Sequence, residues 1–495
     1  MFSLRTAGFL IVCLACLTLP TSSHAQSKRS SASSTPRIWT DATGKYKIRA
    51  KLVEVENGTV HLKRTDVDAD ISIPLEKLSK ADQEWVAKHS GDRVKGGDEA
   101  KEDTADAPSA RAGREGEWPW WLGTNHDGKS TDKGLLKQWP QGGPKLLWKA
   151  NGIGKGFSSV AVSRGAIYIT GDENDRLTIH AFDTNGKEKW HVEHGGVWSN
   201  VPGARSTPSV DGNNLYVLSG TGLLGCFDVS TGTKNWESDA KQFGGSPGGW
   251  GYAESPLVWG GLVIFKPGGQ NCIVALDKKT GHKVWSSRGF EAGPEYGSCL
   301  PIYQDNLYML ITGTNTGLIC VNGKTGALLW GNKFSEGNTA NCPTPAFSDG
   351  YVFWANGYGK GGICLKLGRG GKAGEAWTTH DMVCHHGGYV IDNGYIYGNH
   401  EGEWVCLELK TGRKMWAEKG VGKGSLCWAD GMLYLFSENG GRAALATCSP
   451  RGLKLKGEVK VQGEGPSWAH PVVTGGRLYL RYDDNLYCFD VKERG

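Results

Sequence analysis

The chain has 495 residues, 38% of them hydrophobic, and a formal net charge of +5 at neutral pH. So mild a charge, gathered in no basic stripe, argues against a nucleic-acid partner. The 74 glycines and 20 tryptophans suit a turn-rich β protein, whose turns need glycine and whose layers need large flat side chains.

Arg5 precedes an apolar run from Ala7 to Leu19, and Ser23-His24-Ala25 is a small-x-small exit. This pattern predicts a secretory signal peptide over residues 1–25, cleaved after Ala25. Cys13 and Cys16 lie inside the apolar run without the flanks of a lipoprotein box. No later run approaches the ~18 apolar residues of a membrane-spanning helix. The expected product is exported, periplasmic or extracellular, with cell-envelope contact and no transmembrane segment.

Residues 37–89 alternate apolar and polar through KIRAKLVEV and TVHLKR, then end in a short helical stretch. Ser79 with Asp82 three residues on is a capping pattern for that helix. The pieces RIWTD, GKYKIRAKLVEVENGTVHLK and IPLEKLSKADQEWV resemble the type 1 Sla-homology domain of endocytic adaptors. The resemblance implies an SH3-like barrel and a contact with a peptide or protein. Residues 90–116 are charged, rich in Gly and Ala and nearly free of large apolar side chains, as a flexible tether is.

From residue 118 onward a phrase recurs, each time closing on a tryptophan. Its clearest copies end at Trp190, Trp236, Trp285, Trp330 and Trp416, and Trp148 and Trp377 keep the interval. The steps are roughly 42, 46, 49, 45, 47 and 39 residues, the period of propeller blades. Eight inner hairpins accompany them, from VAVSRGAIYI to PVVTGGRLYL, with turn pairs such as Asp211-Gly212, Asp349-Gly350, Asn393-Gly394 and Asp430-Gly431. The last copy lacks its outer strand, and KLLWK before the first copy is the missing piece. Joining the two ends predicts an all-β, eight-bladed propeller over residues 118–495, free of exposed sheet edges.

Thirteen cysteines in an exported chain invite disulfides. Yet Cys226, Cys320, Cys364, Cys406 and Cys488 fall at one repeat position where other copies hold Ala181 and Ala275. Such a position wants a small apolar body, and a buried free thiol serves. Cys299, Cys342, Cys384 and Cys427 sit at inner-strand entrances, where one bridge between neighbouring blades is conceivable.

The phrase [AC]-x-[DE]-x-x-T-G-x-x-x-W resembles the PQQ-like repeat, and WPWWLGTNHDGKSTDKGLLKQWPQGGPKLLWK resembles the lead-in of exported PQQ-like propellers. This resemblance, over residues 118–495, implies the fold. Its members include quinoprotein alcohol dehydrogenases and the cofactor-free, protein-binding propeller of the outer-membrane barrel-assembly machine, so only the site can decide activity. The chain has no adjacent cysteines and no CxxCH haem-attachment motif. No cofactor is therefore expected, and PQQ with calcium is the alternative.

Three motifs fail on context. Gly123–Ser130 spells a Walker A loop without a following helix. Gly244–Gly248 spells GxSxG outside any strand-to-helix elbow. Asp66, Asp68 and Asp70 start a calcium loop whose turn glycine is replaced by Ile71 and whose last ligand is replaced by Lys77.

The loops before each inner strand gather, in a propeller, at the mouth of the central channel. They would bring Trp198, Arg205, Trp250, Tyr252, Glu254, Glu295, Tyr296, His385, His386, Trp468 and His470 toward one funnel. Flat rings stack on sugars or extended peptides, while ions fix register. The plainer alternative is a solvated rim. His380, Asp381, Cys384, His385 and His386 have ligand-like spacing, but all lie in one loop with no second cluster, so no metal and no catalytic residue is assigned. The sequence thus points to a non-enzymatic binding protein for a protein, peptide or glycan. The alternative is a quinone-dependent alcohol or sugar dehydrogenase using Glu254 or Glu295 as base and Trp250 or Trp468 against the ring.

Overall fold

The computed structural model describes residues 36–56, 59–65, 70–89 and 116–494. The expected signal peptide, almost all of the expected tether, Asp66 and Asp68 lie outside the described residues. The chain divides into two compact units, Met1–Asp103 and Thr104–Gly495. Among the described residues, no helix is long and apolar enough to cross a membrane.

In the smaller unit, β1 (Arg37–Thr40), β2 (Lys47–Glu56), β3 (Thr59–Arg64) and β4 (Asp70–Pro74) form an antiparallel meander in chain order, followed by α1 (Lys80–His89). Alternation puts Ala50, Leu52, Val60 and Leu62 on one face, where they bury with Trp39, Leu78 and Val86. The predicted cap forms: the Asp82 N–H donates to Ser79 Oγ at 3.2 Å, and Ser79 Oγ donates to Asp82 Oδ2 at 2.8 Å. Asp82 also accepts from the Thr40 N–H at 2.8 Å and pairs with Arg37 at 2.6 Å, tying β1 to the helix start.

The larger unit holds eight antiparallel sheets, at residues 161–196, 209–239, 257–286, 300–331, 346–379, 389–418, 424–460 and 472–490. Each is a four-stranded meander. The seventh gains a short parallel strand, Lys129–Ser130. The eighth takes its fourth strand from Lys145–Asn151, with Trp148 opposite Cys488, as the missing outer strand requires. Asp349, Asn393 and Asp430 have φ near +50°, at 51°, 47° and 48°, each followed by a positive-φ glycine. At Asp211-Gly212 only the glycine does, because the turn sits one residue later, between Asp211 and Asn214.

The repeat tryptophans join neighbouring sheets. Trp148, Trp190, Trp236, Trp377 and Trp416 donate Nε1–H to carbonyls of Thr184, Val229, Lys278, Leu409 and Ser449 in the next sheet, at 2.9–3.2 Å. Their rings lie so close to the turn glycines that a Cβ at Gly186 would stand 2.5 Å from Trp148, and one at Gly232 2.7 Å from Trp190. Only glycine fits there. Opposite each tryptophan in the register stands the small repeat residue: Ala181 faces Trp190, Cys226 faces Trp236, Cys364 faces Trp377 and Cys406 faces Trp416. A β-bulge follows immediately and re-aims the strand.

All eleven cysteines among the described residues are free, so the conceivable bridge at the inner-strand entrances is absent. Those at the repeat position, Cys226, Cys320, Cys364, Cys406 and Cys488, stand as small bodies opposite tryptophan rings.

Candidate functional site

The segments entering the innermost strands are laced by hydroxyls. The N–H groups of Ser159, Thr207, Ser255 and Ser298 donate in turn to Thr207 Oγ1, Ser255 Oγ, Ser298 Oγ and Thr344 Oγ1 at 2.9–3.1 Å. Ser425 Oγ reaches Ala469 O at 2.8 Å, and the His470 N–H returns to Ser159 Oγ at 3.0 Å. Each bond crosses from one sheet to the next, and the last joins the eighth to the first. This lacing holds the loops above it in register.

Above it lies a cavity of about 340 Å³, within the range of small-ligand sites. Of the sequence-predicted residues, Arg205, Trp250, Tyr296, His385, His386, Trp468 and His470 line it. Trp121, Phe157, Cys342 and Tyr358 line it too, and sequence reasoning missed all four. Trp121 comes from the lead-in, where its Nε1–H donates to Thr344 Oγ1 at 3.0 Å and its ring meets His470 at 4.7 Å. The WPWW cluster was the only available signal for it.

One wall is a continuous stack. Ring centroids run from Tyr358 to His385 at 4.9 Å, to His386 at 3.6 Å, to Trp468 at 4.2 Å and to Phe157 at 4.4 Å. The Arg205 guanidinium ends it, 5.7 Å from Phe157. Arg205 is held by the carbonyls of Gly203 at 2.9 Å and Asn200 at 3.3 Å and has no ion-pair partner among the described residues. On the other side, Trp250 meets Tyr296 edge-on at 5.8 Å.

The remaining four candidates lie off the lining. Trp198 folds over Gly251 and donates Nε1–H to Gly249 O at 3.0 Å. Tyr252 is buried in its own sheet, its hydroxyl on Pro267 O at 2.8 Å. Glu254 is 2% exposed and accepts from the backbone N–H of the fully buried Lys266. Glu295 has φ 44°, and its buried Oε2 has no hydrogen-bond partner. Burial pushes both carboxyls up, each to about 7.

Burial lowers the imidazoles, His385 and His470 to about 4 and His386 well below its ordinary value, so all three are neutral at pH 7. In the loop cluster suspected from spacing, Asp381 instead pairs with Lys414 at 2.7 Å, and buried Cys384 donates to Gly388 O at 3.3 Å.

The lining contains no Asp, Glu, Asn or Gln. Calcium takes six to eight oxygen ligands, chiefly carboxylates and carbonyls, so this donor set does not fit a calcium-held quinone. Nor does either candidate base line the cavity. The motif lookalikes are likewise occupied. Lys129 of the Walker-like loop pairs with Asp392 at 2.6 Å and leads into a strand, and Gly244–Gly248 follow a 3-10 turn.

Comparison with known proteins agrees with this construction. Residues 175–418 match the family described as outer membrane protein assembly factor BamB, and residues 27–94 match SLA1 homology domain 1. The tetrathionate hydrolase of Acidithiobacillus ferrooxidans is 24% identical over 291 residues, 54% of this chain and 54% of its own. BamB of Shewanella oneidensis is 26% identical over 189 residues, 37% of this chain and 44% of its own. The chain thus spans about half the length of these relatives. The quinohemoprotein alcohol dehydrogenase of Comamonas testosteroni superposes with a TM-score of 0.57 at 13% identity, over 79% of this chain and 82% of its own, a likeness of fold alone. The chain therefore carries a BamB-like PQQ-repeat domain over residues 175–418 and an SLA1 homology domain 1 over residues 27–94.

Proposed function

We propose that the chain is an exported, non-enzymatic binding scaffold. In this reading the eight sheets are the blades of a closed eight-bladed propeller over residues 118–495, behind an SH3-like barrel at 37–89 and a tether at 90–116. Support for closure comes from the strand shared between the chain ends and from the hydroxyl bonds joining the first and eighth sheets.

The cavity takes a peptide segment of a protein partner, aromatic side chains against the stacked wall and a carboxylate against Arg205. One observation carries this: an aromatic wall ends on a cation without an ion-pair partner, in a lining free of carboxylates and amides. A glycan reader needs carboxylates or amides to bond successive hydroxyls, and they are missing here. A protein-directed role accords with the assembly factor named among the relatives and with the SLA1 homology domain. Enzymes also occur among the similar proteins, but the cavity lining holds no carboxylate to act as base or as calcium ligand.

The test is selection of a random peptide library on the whole chain, with Arg205→Met as counter-screen. Enriched peptides should carry an aromatic residue near a carboxylate and bind Arg205→Met at least about tenfold more weakly, one charge-assisted contact being worth ~1.5–3 kcal/mol. Equal binding to both proteins would overturn the reading.

A further inference from the structure

Two imidazoles and a thiol converge on one side of the cavity. Cys342 leads into the fifth sheet, and His385 and His386 lead into the sixth. One ligand atom of each lies within 4.8 Å of the other two. All three line the cavity, so an ion could reach them from solvent.

Contacts hold the two histidines. His385 packs against Gly357, where a Cβ would stand 3.0 Å from its ring. The His386 carbonyl is hydrogen-bonded to His470 Nε2 at 2.9 Å. His386 Nδ1 is buried with no hydrogen-bond partner, an unusual state for a polar atom.

We propose that Cys342, His385 and His386 form a binding site for a thiophilic metal ion, Zn²⁺ or Cu⁺, with its remaining coordination position open to the cavity. A thiolate and imidazoles are the donors these ions select, whereas the oxygen ligands of calcium or magnesium are missing. Bonds of about 2.0–2.3 Å place tetrahedral ligand atoms about 3.3–3.6 Å apart. The three ligand atoms, within 4.8 Å of one another, would have to close by at most about 1.2–1.5 Å to reach that spacing.

As the metal–sulfur bond forms, the Cys342 thiol gives its proton to solvent through the cavity. Lys423 Nζ stands 3.3 Å from His385 Nδ1 and already pairs with Glu438 at 3.1 Å. The metal takes over the His385 lone pair, and Lys423 stays on Glu438.

The experiment is titration of the chelator-treated whole chain with Co²⁺, read by absorption. One equivalent should bind with a thiolate-to-cobalt charge-transfer band, and Zn²⁺ or Cu⁺ should displace it, the stronger competitor naming the ion. Cys342→Ser should abolish the band and His386→Ala should weaken binding at least tenfold, while Cys448→Ser keeps both. In the unaltered protein, one equivalent of Zn²⁺ should slow alkylation of Cys342 at least tenfold, mapped by peptide mass. Absence of the band, its persistence in Cys342→Ser, or unprotected alkylation would overturn the proposal.

Discussion

Each repeat tryptophan fills a slot and donates a hydrogen bond, and substitution separates the two. Trp416 Nε1 bonds Ser449 O at 2.9 Å, whereas the buried Nε1 of Trp285 has no partner. Trp416→Phe should therefore cost ~1 kcal/mol more than Trp285→Phe in urea unfolding, the worth of one hydrogen bond. Equal losses would mean that volume alone matters. His194 is 2% exposed, and burial lowers its pKa from 6.5 to about 4. The unfolded chain then binds its proton first, so this group's contribution is whole above pH 6.5 and is lost as pH falls toward 4. In His194→Gln the urea midpoint should fall less between pH 7 and pH 5 than it does in the unaltered protein.

The tryptophan interval, the small residue at the Ala-or-Cys position and the outer strand supplied by KLLWK were all legible in the sequence, because each repeats or completes a repeat. What crosses between elements was not. The seventh sheet has no outer tryptophan, and Trp139 of the lead-in takes that place: it is 2% exposed, and a Cβ at Gly457 would stand 2.4 Å from its own Cβ. Its partner lies more than three hundred residues away, beyond any local pattern. Trp139→Ala should cost ~3 kcal/mol, as large aromatic truncations in cores do. A loss below ~1 kcal/mol would mean that the lead-in is not integral to the sheet. Loop position alone also mis-sorted Tyr252 and Glu254, which turn into the sheet while Trp250 and Ala253 between and before them line the cavity. A loop without regular periodicity does not say which way each side chain points.

At the scale of the whole molecule, one fold hosts both binders and quinone enzymes, and the cavity lining is where the two should differ. A ligand at 100 times its dissociation constant adds about 2.7 kcal/mol of stability. With no carboxylate in the lining, PQQ plus calcium should leave the unfolding midpoint unmoved. A rise, with the quinone spectrum retained through gel filtration, would revive the dehydrogenase. The most direct measurement is hydrogen exchange on the whole chain with and without a library-selected peptide. New protection should appear in the segments holding Phe157, Arg205, His385–His386 and Trp468. Protection confined to residues 36–89, or none in those four segments, would contradict it.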